Sequence, residues 1–339
     1  MMRKTAFIYL PILATMLTGC MVEVIDTSPK KEDIGLTAGP VPISLTTAVE
    51  VQQEGNDDGS KTGTRTTSTA LQSTQFAQGE QIYVYFPTHV TVGTTTSASS
   101  TTYTTTDANG ATAPATQPYM NSNIQEADIH AYYPSSHRQS TESFSVLADQ
   151  TSDDNYKASD LMYATTSVTK TAAATVTGSL TFSHRMAKII VTATADTGKG
   201  VSAVTKVRII GGYRTATIAT PLSCAMKTDD GFSNQLSTSS AITLYDNATG
   251  EASVSCAGLI PPQTIAAGTA FLEVTVKTAG DLTGTATYSL PAAKTFASGN
   301  AYTCTLSINL SSIGTTTDIT NWGNGGSTSL NNNGTPTLQ

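Results

Sequence analysis

The chain has 339 residues, a net charge of −7, one tryptophan and only 13% charged residues. An acidic balance without clustered Lys and Arg gives a phosphate backbone nothing to bind, so nucleic acid is excluded as a partner. The length suits about two domains, and the abundance of Thr, Ser, Val, Ile and Tyr suits the half-buried pleated surface of β-structure.

Arg3 and Lys4 open the chain, followed by the apolar run TAFIYLPILATML and by LTGC at 17–20. A charged start and a short apolar run ending in small residues read as a secretory signal, too short and wrongly flanked for a spanning helix. Leu17-Thr18-Gly19-Cys20 fits a bacterial lipobox, in which Cys20 is lipidated and becomes the mature N-terminus. Acyl chains contribute about 0.8 kcal/mol per buried CH2, so several of them hold a protein firmly on a membrane. Cys20→Ala is therefore expected to release the protein from membrane fractions or leave it unprocessed; unchanged membrane retention would refute the lipobox. Residues 21–40 read as a tether, mixed in charge and interrupted by Pro and Gly, with Lys30-Lys31-Glu32-Asp33 as solvated linker charge.

At 41–51 the sequence VPISLTTAVEV alternates. Val41, Ile43, Leu45, Val49 and Val51 share one face of a predicted strand, and Ser44, Thr46 and Glu50 share the other. The next polar stretch, GNDDGSKTGTRTTSTA at 55–70, has no packing pattern and reads as an exposed loop carrying Lys61 and Arg65. QIYVYF, ADIHAYYP, SFSVLA, DLMYATTS and TVTGSLTF then read as short strands. Between the first two of these, the Thr/Ser/Ala-rich residues 91–117 read as a surface excursion. A second series follows: AKIIVTATA, VTKVRII, YRTATIA, AITLY, EASVSC, FLEVTVKT, ATYSLP and AYTCTLSINL. Turn signals separate these segments, and no long amphipathic helix is visible. The expected fold is all-β, two antiparallel β-sandwich domains over 41–183 and 184–339 that meet near TFSHRMAK, the second ending in a polar tail.

Beyond Cys20 the cysteines are Cys224, Cys256 and Cys304. The strand patterns place Cys256 with Val254, and Cys304 with Tyr302, Leu306 and Ile308, on core faces. An exported protein permits a disulfide, but an odd count and a large core favour buried free thiols. Catalytic patterns are missing. His89, His130, His137 and His184 are scattered without zinc-ligand spacing, and there is no Gly-x-Ser-x-Gly elbow. Asp153-Asp154 and Asp229-Asp230 sit in polar turn sequence, where carboxylates are solvated. NDDGS at 56–60 lacks the later acidic ligand of a calcium loop. No metal, cofactor or enzyme activity is expected, and His184 reads as a structural residue near the domain junction.

TRTTSTALQSTQFAQGEQIYVYF at 64–86 joins a Thr-Arg pair, a spacer and Phe-x-x-Gly-Glu before a strand. With ADIHAYYP, SDLMYATT, LTFSHRMAKIIV, LIPPQTIAAGTAFLEVTV, FASGNAYTCTLSINL and ITNWGNGG, in that order, it resembles the Bacteroidetes fimbrillins, subunits of type V pili. The resemblance runs from the lipobox to Trp322. It implies a transthyretin-like fold for both sandwiches and a lipoprotein precursor, palmitoylated at Cys20, that is anchored in the outer membrane before processing and ends in a cell-surface fimbrium. In such pilins an arginine-specific protease cuts the loop after the first strand. That strand leaves, and a strand of another fimbrial subunit fills the apolar groove. Arg65 and Thr66 match the cleavage site, and 41–51 matches the removable strand. The implied function is a fimbrial subunit contributing to adhesion, at a tip or minor position, with a host or bacterial surface ligand as a further partner. Main shaft pilin and monomeric glycan-binding surface lipoprotein remain the alternatives.

Overall fold

Successive side chains on an extended backbone point to opposite faces, so apolar residues at every second position build half-buried strands. The computed structural model describes residues 39–50, 76–95, 99–138, 143–218, 232–237, 240–313, 316–318 and 322–324. In chain order the first half contains β1 (Val41–Val49), β2 (Gln81–Phe86), β3 (Val90–Val92), β4 (Ser99–Thr105), β5 (Thr112–Pro114), β6 (Pro118–Met120), β7 (Glu126–Tyr133), β8 (Ser143–Ser145), the helix α1 (Asp153–Ala158), β9 (Met162–Thr169) and β10 (Val176–His184). The second contains β11 (Ala187–Ala195), β12 (Val201–Ile209), β13 (Thr215–Ile218), β14 (Phe232–Ser237), β15 (Ile242–Glu251), β16 (Ser253–Ile260), β17 (Gln263–Ile265), β18 (Ala270–Thr278), β19 (Thr283–Ser289), β20 (Lys294–Phe296), β21 (Ala301–Ile308), β22 (Thr316–Asp318) and β23 (Trp322–Asn324).

The fold is all-β and sandwich-like. Strands of the first half form one sheet in the order β3-β6-β1-β10-β9-β7-β2-β4-β5. Strands β10 and β9 pair at Ser183↔Tyr163 and His184↔Met162. On either side of this junction the sheet folds back, so that Ile43, Leu45 and Leu180 share a core with Ile82, Val84, Phe86, Tyr103 and Ile129. In the second half the sheets β16-β11-β21-β23 and β15-β12-β18-β19-β22 enclose another core, containing Ile189, Val191, Val207, Leu272, Val274 and Leu306. Most pairs are antiparallel, but β1/β10, β11/β21 and β19/β22 are parallel.

The two cores meet across the sheet β9-β7-β2. Its inner face joins the first core, whereas Tyr83, Tyr132 and Tyr163 join the second, with Phe144, Val146, Tyr156 and Leu161. His137 is buried against Tyr132 and Phe144, and burial, then the Arg138 charge, pull its pKa down to about 4. His184 Nδ1 lies 2.8 Å from the buried Asp160 Oδ1, a structural pairing beside the chain's passage from one core to the other. Gln150 acts as a side-chain peptide: its Oε1 accepts from Leu259 N at 2.7 Å and its Nε2 donates to Leu259 O at 3.0 Å.

Two segments differ from the expectation. Within 91–117, expected to be a surface excursion, residues 99–105 and 112–114 form β4 and β5, and Ser99, Thr101, Tyr103 and Thr105 of β4 all turn inward and are buried. Their hydroxyls are satisfied: Ser99 Oγ donates to Val90 O, Thr105 Oγ1 donates to Ala77 O, and Thr101 Oγ1 accepts from Thr116 N. Threonine thus served as a half-apolar core residue, which hid the period. Asp153-Asp154 lies not in a turn but in the first turn of α1, where carboxylates favour the helix dipole, behind the N-cap Ser152 whose side chain accepts from Asn155 N.

Candidate functional site

The candidate site is the first strand and the apolar surface that it covers. Val41, Ile43, Leu45 and Val49 are 1–4% exposed, as their alternation requires. Thr47, which the apolar pattern skipped, shares this inward face and donates from Oγ1 to Gly110 O at 3.3 Å. Val51, the last apolar residue of the expected strand, lies outside the described residues. So do Cys20, Arg65, Thr66 and Cys224. At roughly 1.5–3 kcal/mol each, the four described apolar side chains bury about 6–12 kcal/mol gross in the groove.

The two edges of β1 are held differently. Along one, it pairs parallel with β10 in unbroken register from Ile43↔Val176 to Val49↔Phe182, and Glu50 N extends the contact to Phe182 O at 2.6 Å. Along the other, β6 pairs at Val41↔Met120 and Pro42↔Tyr119. Beyond β6, side chains and loop backbone from 110–117 take over. Gln117 Nε2 donates to Ile43 O at 2.9 Å, Thr112 Oγ1 donates to Leu45 O, and Thr47 N donates to Gly110 O at 2.8 Å. The contrast with β11, the first strand of the second half, is sharp. Strand β11 is in continuous register with β16 on one side and with β21 on the other. Strand β11 is locked by continuous ladders on both edges; β1 has a continuous ladder on one edge and, on the other, only the two-residue pairing with β6 and a single bridge from Thr46 to Ala111.

Both ends of β1 have identifiable fixtures. At its start, the buried Lys170 Nζ donates to Gly39 O and to Ser122 O, each at 2.9 Å. Where the described chain resumes at 76, Phe76 is buried edge-on against Phe182 with ring centroids 5.0 Å apart. The Phe-x-x-Gly-Glu sequence is therefore a structural corner. Gly79 takes φ +88, which glycine adopts without a Cβ penalty, and its N donates to Thr105 O. Glu80 accepts from Ala77 N at 2.8 Å and pairs with Lys157 at 3.3 Å. None of Thr47, Lys170, Thr112 or Gln117 was singled out from sequence. Only Thr47 had a signal, its odd-numbered place in the alternation.

The basic residues of the described part are protected in different degrees. Arg185 is 5% exposed and its N donates to Leu161 O at 2.8 Å, while the Arg138 guanidinium lies 4.2 Å from the Tyr83 ring centroid. Limited trypsin treatment is therefore expected to cut first at Lys61 or Arg65, in the polar 55–70 sequence. Earlier cleavage at Arg138 or Arg185 would place the accessible loop elsewhere. Cys256 and Cys304 are buried and free, with burial raising the Cys256 thiol to about 12 and the Cys304 thiol further. Among the described residues no group of His, Cys, Asp and Glu could hold a metal ion, and no helix is long and apolar enough to cross a membrane.

A family model described as fimbrillin-like matches residues 64–322. No curated protein matches the chain. Similar folds occur in candidate cell adhesion proteins of three Bacteroides species. The structure from Bacteroides uniformis is 17% identical with a TM-score of 0.51, over 82% of this chain and 95% of its own. Those from Bacteroides ovatus and Bacteroides fragilis are 16% and 14% identical, each with a TM-score of 0.50. They cover 81% and 84% of this chain, and 94% and 97% of theirs.

Proposed function

The chain belongs to the fimbrillin-like family, and from that premise we propose that it is a fimbrial subunit of the bacterial cell surface that accepts a strand from a neighbouring subunit. In this reading the precursor is held in the outer membrane through lipid on Cys20. An arginine-specific protease cuts between Arg65 and Thr66, β1 leaves, and a partner strand takes its place. The assembled fimbrium then contributes to adhesion, with this subunit near a tip or in a minor position.

The observation that carries the reading is how β1 is held. Its inward side chains belong to the first core, yet one of its edges is closed mainly by single side-chain donors and loop backbone. Cutting between residues 51 and 75 would break no described strand. Loss of β1 would leave Val176–Phe182 of β10 without ladder partners along that edge, together with an apolar slot. Unpaired backbone on a sheet edge is a template for another strand, and insertion of one is β-augmentation.

The test is to cut the purified protein in 55–70 and offer a labelled synthetic peptide of residues 39–50. Replacement of the resident fragment by one peptide per molecule supports the proposal. A resident fragment that never exchanges, even under mild denaturant that leaves the second core intact, overturns it.

A further inference from the structure

We infer that Gly178 sets the register of whatever strand occupies the groove, by demanding a leucine directly opposite it. The inference rests on the reading of the groove as a strand acceptor.

Most of the groove's contacts cannot tell one register from another. The β10 ladder, Gln117 and Thr112 all engage backbone groups of β1, which every strand presents. Alternation forbids a slip of one residue, since that would turn the whole apolar set outward. A slip of two residues keeps the apolar face inward and remakes equivalent ladder bonds. Something else must exclude it.

Gly178 breaks the period. Along the inward face of β10, Val176, Leu180 and Phe182 are buried side chains, and Gly178 is the gap among them. Its φ is not in the left-handed region, so the residue is there for room and not for backbone freedom. A Cβ at this point would meet Val168 Cγ1 at 2.7 Å and Leu45 Cδ2 at 3.0 Å. The Leu45 side chain thus leans over the gap from the facing register position, with Val168 closing it from β9. Across the parallel pair sizes are complementary: Ile43 faces Val176, Leu45 faces Gly178, Thr47 faces Leu180 and Val49 faces Phe182. A slip of two in one direction would set Leu45 against Leu180 and bring Ile43 to the gap; in the other it would set Leu45 against Val176 and leave the gap to the smaller Thr47. Overpacked and underfilled positions both destabilise a core. The partner strand is therefore one that runs parallel to β10, with a branched apolar residue, then leucine, a small residue and valine at successive inward positions.

The experiment exchanges the two neighbours in the full chain, Ile43→Leu with Leu45→Ile, which preserves composition, total volume and facing. It is made in the wild-type and Gly178→Ala backgrounds. Two quantities are read: the thermal midpoint of the uncut protein, and the rate at which the first-strand fragment leaves after cleavage in 55–70 under excess synthetic 39–50 peptide. In the wild-type background the exchange should lower the midpoint and speed release about tenfold, the size expected of two imperfectly repacked volume-conserving swaps. In Gly178→Ala it should change neither. An exchange without effect in the wild-type background overturns the inference, whether or not Gly178→Ala folds. If the wild-type fragment never leaves, the strand-exchange reading fails, and the midpoints of the uncut proteins still decide the role of Gly178.

Discussion

Leu45→Asp in the uncut chain is expected to expel β1 from the groove while the second core stays folded. Leu45 is 1% exposed and packs over Gly178. Removing its side chain alone costs about 2–5 kcal/mol at a core position. An ionised carboxylate there has no described basic partner, and an unpaired buried charge costs several kcal/mol more. Against them stand the three remaining apolar side chains, about 4.5–9 kcal/mol of gross burial, so the losses are of the same size as what holds the strand. Opening β1 locally then competes with burying the charge, and local opening is the response expected of an element with a continuous ladder on one edge only. Two measurements locate the damage. Proteases should cut within residues 39–50, and Cys256 and Cys304, 2% and 0% exposed, should remain slow to alkylate. Rapid alkylation of both thiols in native buffer would show that the two cores unfold as one. Undisturbed protection of 39–50 would show that β1 is held by more than its inward face. Ser44→Asp, on the exposed face of the same strand, should change stability by no more than about 0.5 kcal/mol.

What could be read from sequence was set by how far a physical signal reaches along the chain. Strand β1 was legible because Val41, Ile43, Leu45 and Val49 alternate within nine residues. Its place in the sheet was not, since its partner β10 lies more than a hundred residues on and runs parallel. No turn joins them to announce the pairing. Strand β4 was hidden because its inward residues are Ser99, Thr101 and Thr105 around a single Tyr103, so hydropathy showed no period although the backbone has one. Helix α1 is too short for a helical period, and Ser152-Asp153-Asp154 serves as well for a turn as for a cap. Gly178 in TVTGSLTF reads as a weak point in a strand. It becomes a recognition feature only when Leu45 is seen across from it.

The protein cut at Arg65 is not expected to polymerise on its own. A shaft subunit must both accept a strand and supply one, and in the fimbrillins this chain resembles the supplied strand is a C-terminal extension. Here the segments before the tail are already used: Thr316–Asp318 pairs parallel with β19, and Trp322–Asn324 pairs with Tyr302–Cys304 of β21. Beyond them the chain reads GGSTSLNNNGTPTLQ. Setting Leu330 opposite Gly178 would bring Thr328 against Val176, Asn332 against Leu180 and Gly334 against Phe182. That exchanges apolar burial for an amide that must lose its water and a residue with no side chain. Setting Leu338 there would put Pro336 two positions earlier, without an N–H for the ladder. Neither register replaces the four apolar side chains of β1. Cleaved protein examined by electron microscopy should remain as single particles, and should bind a peptide of residues 39–50 in preference to a peptide of residues 325–339. Long homopolymers that vanish when 325–339 is deleted would make this chain a shaft pilin and remove the argument for a tip or minor position.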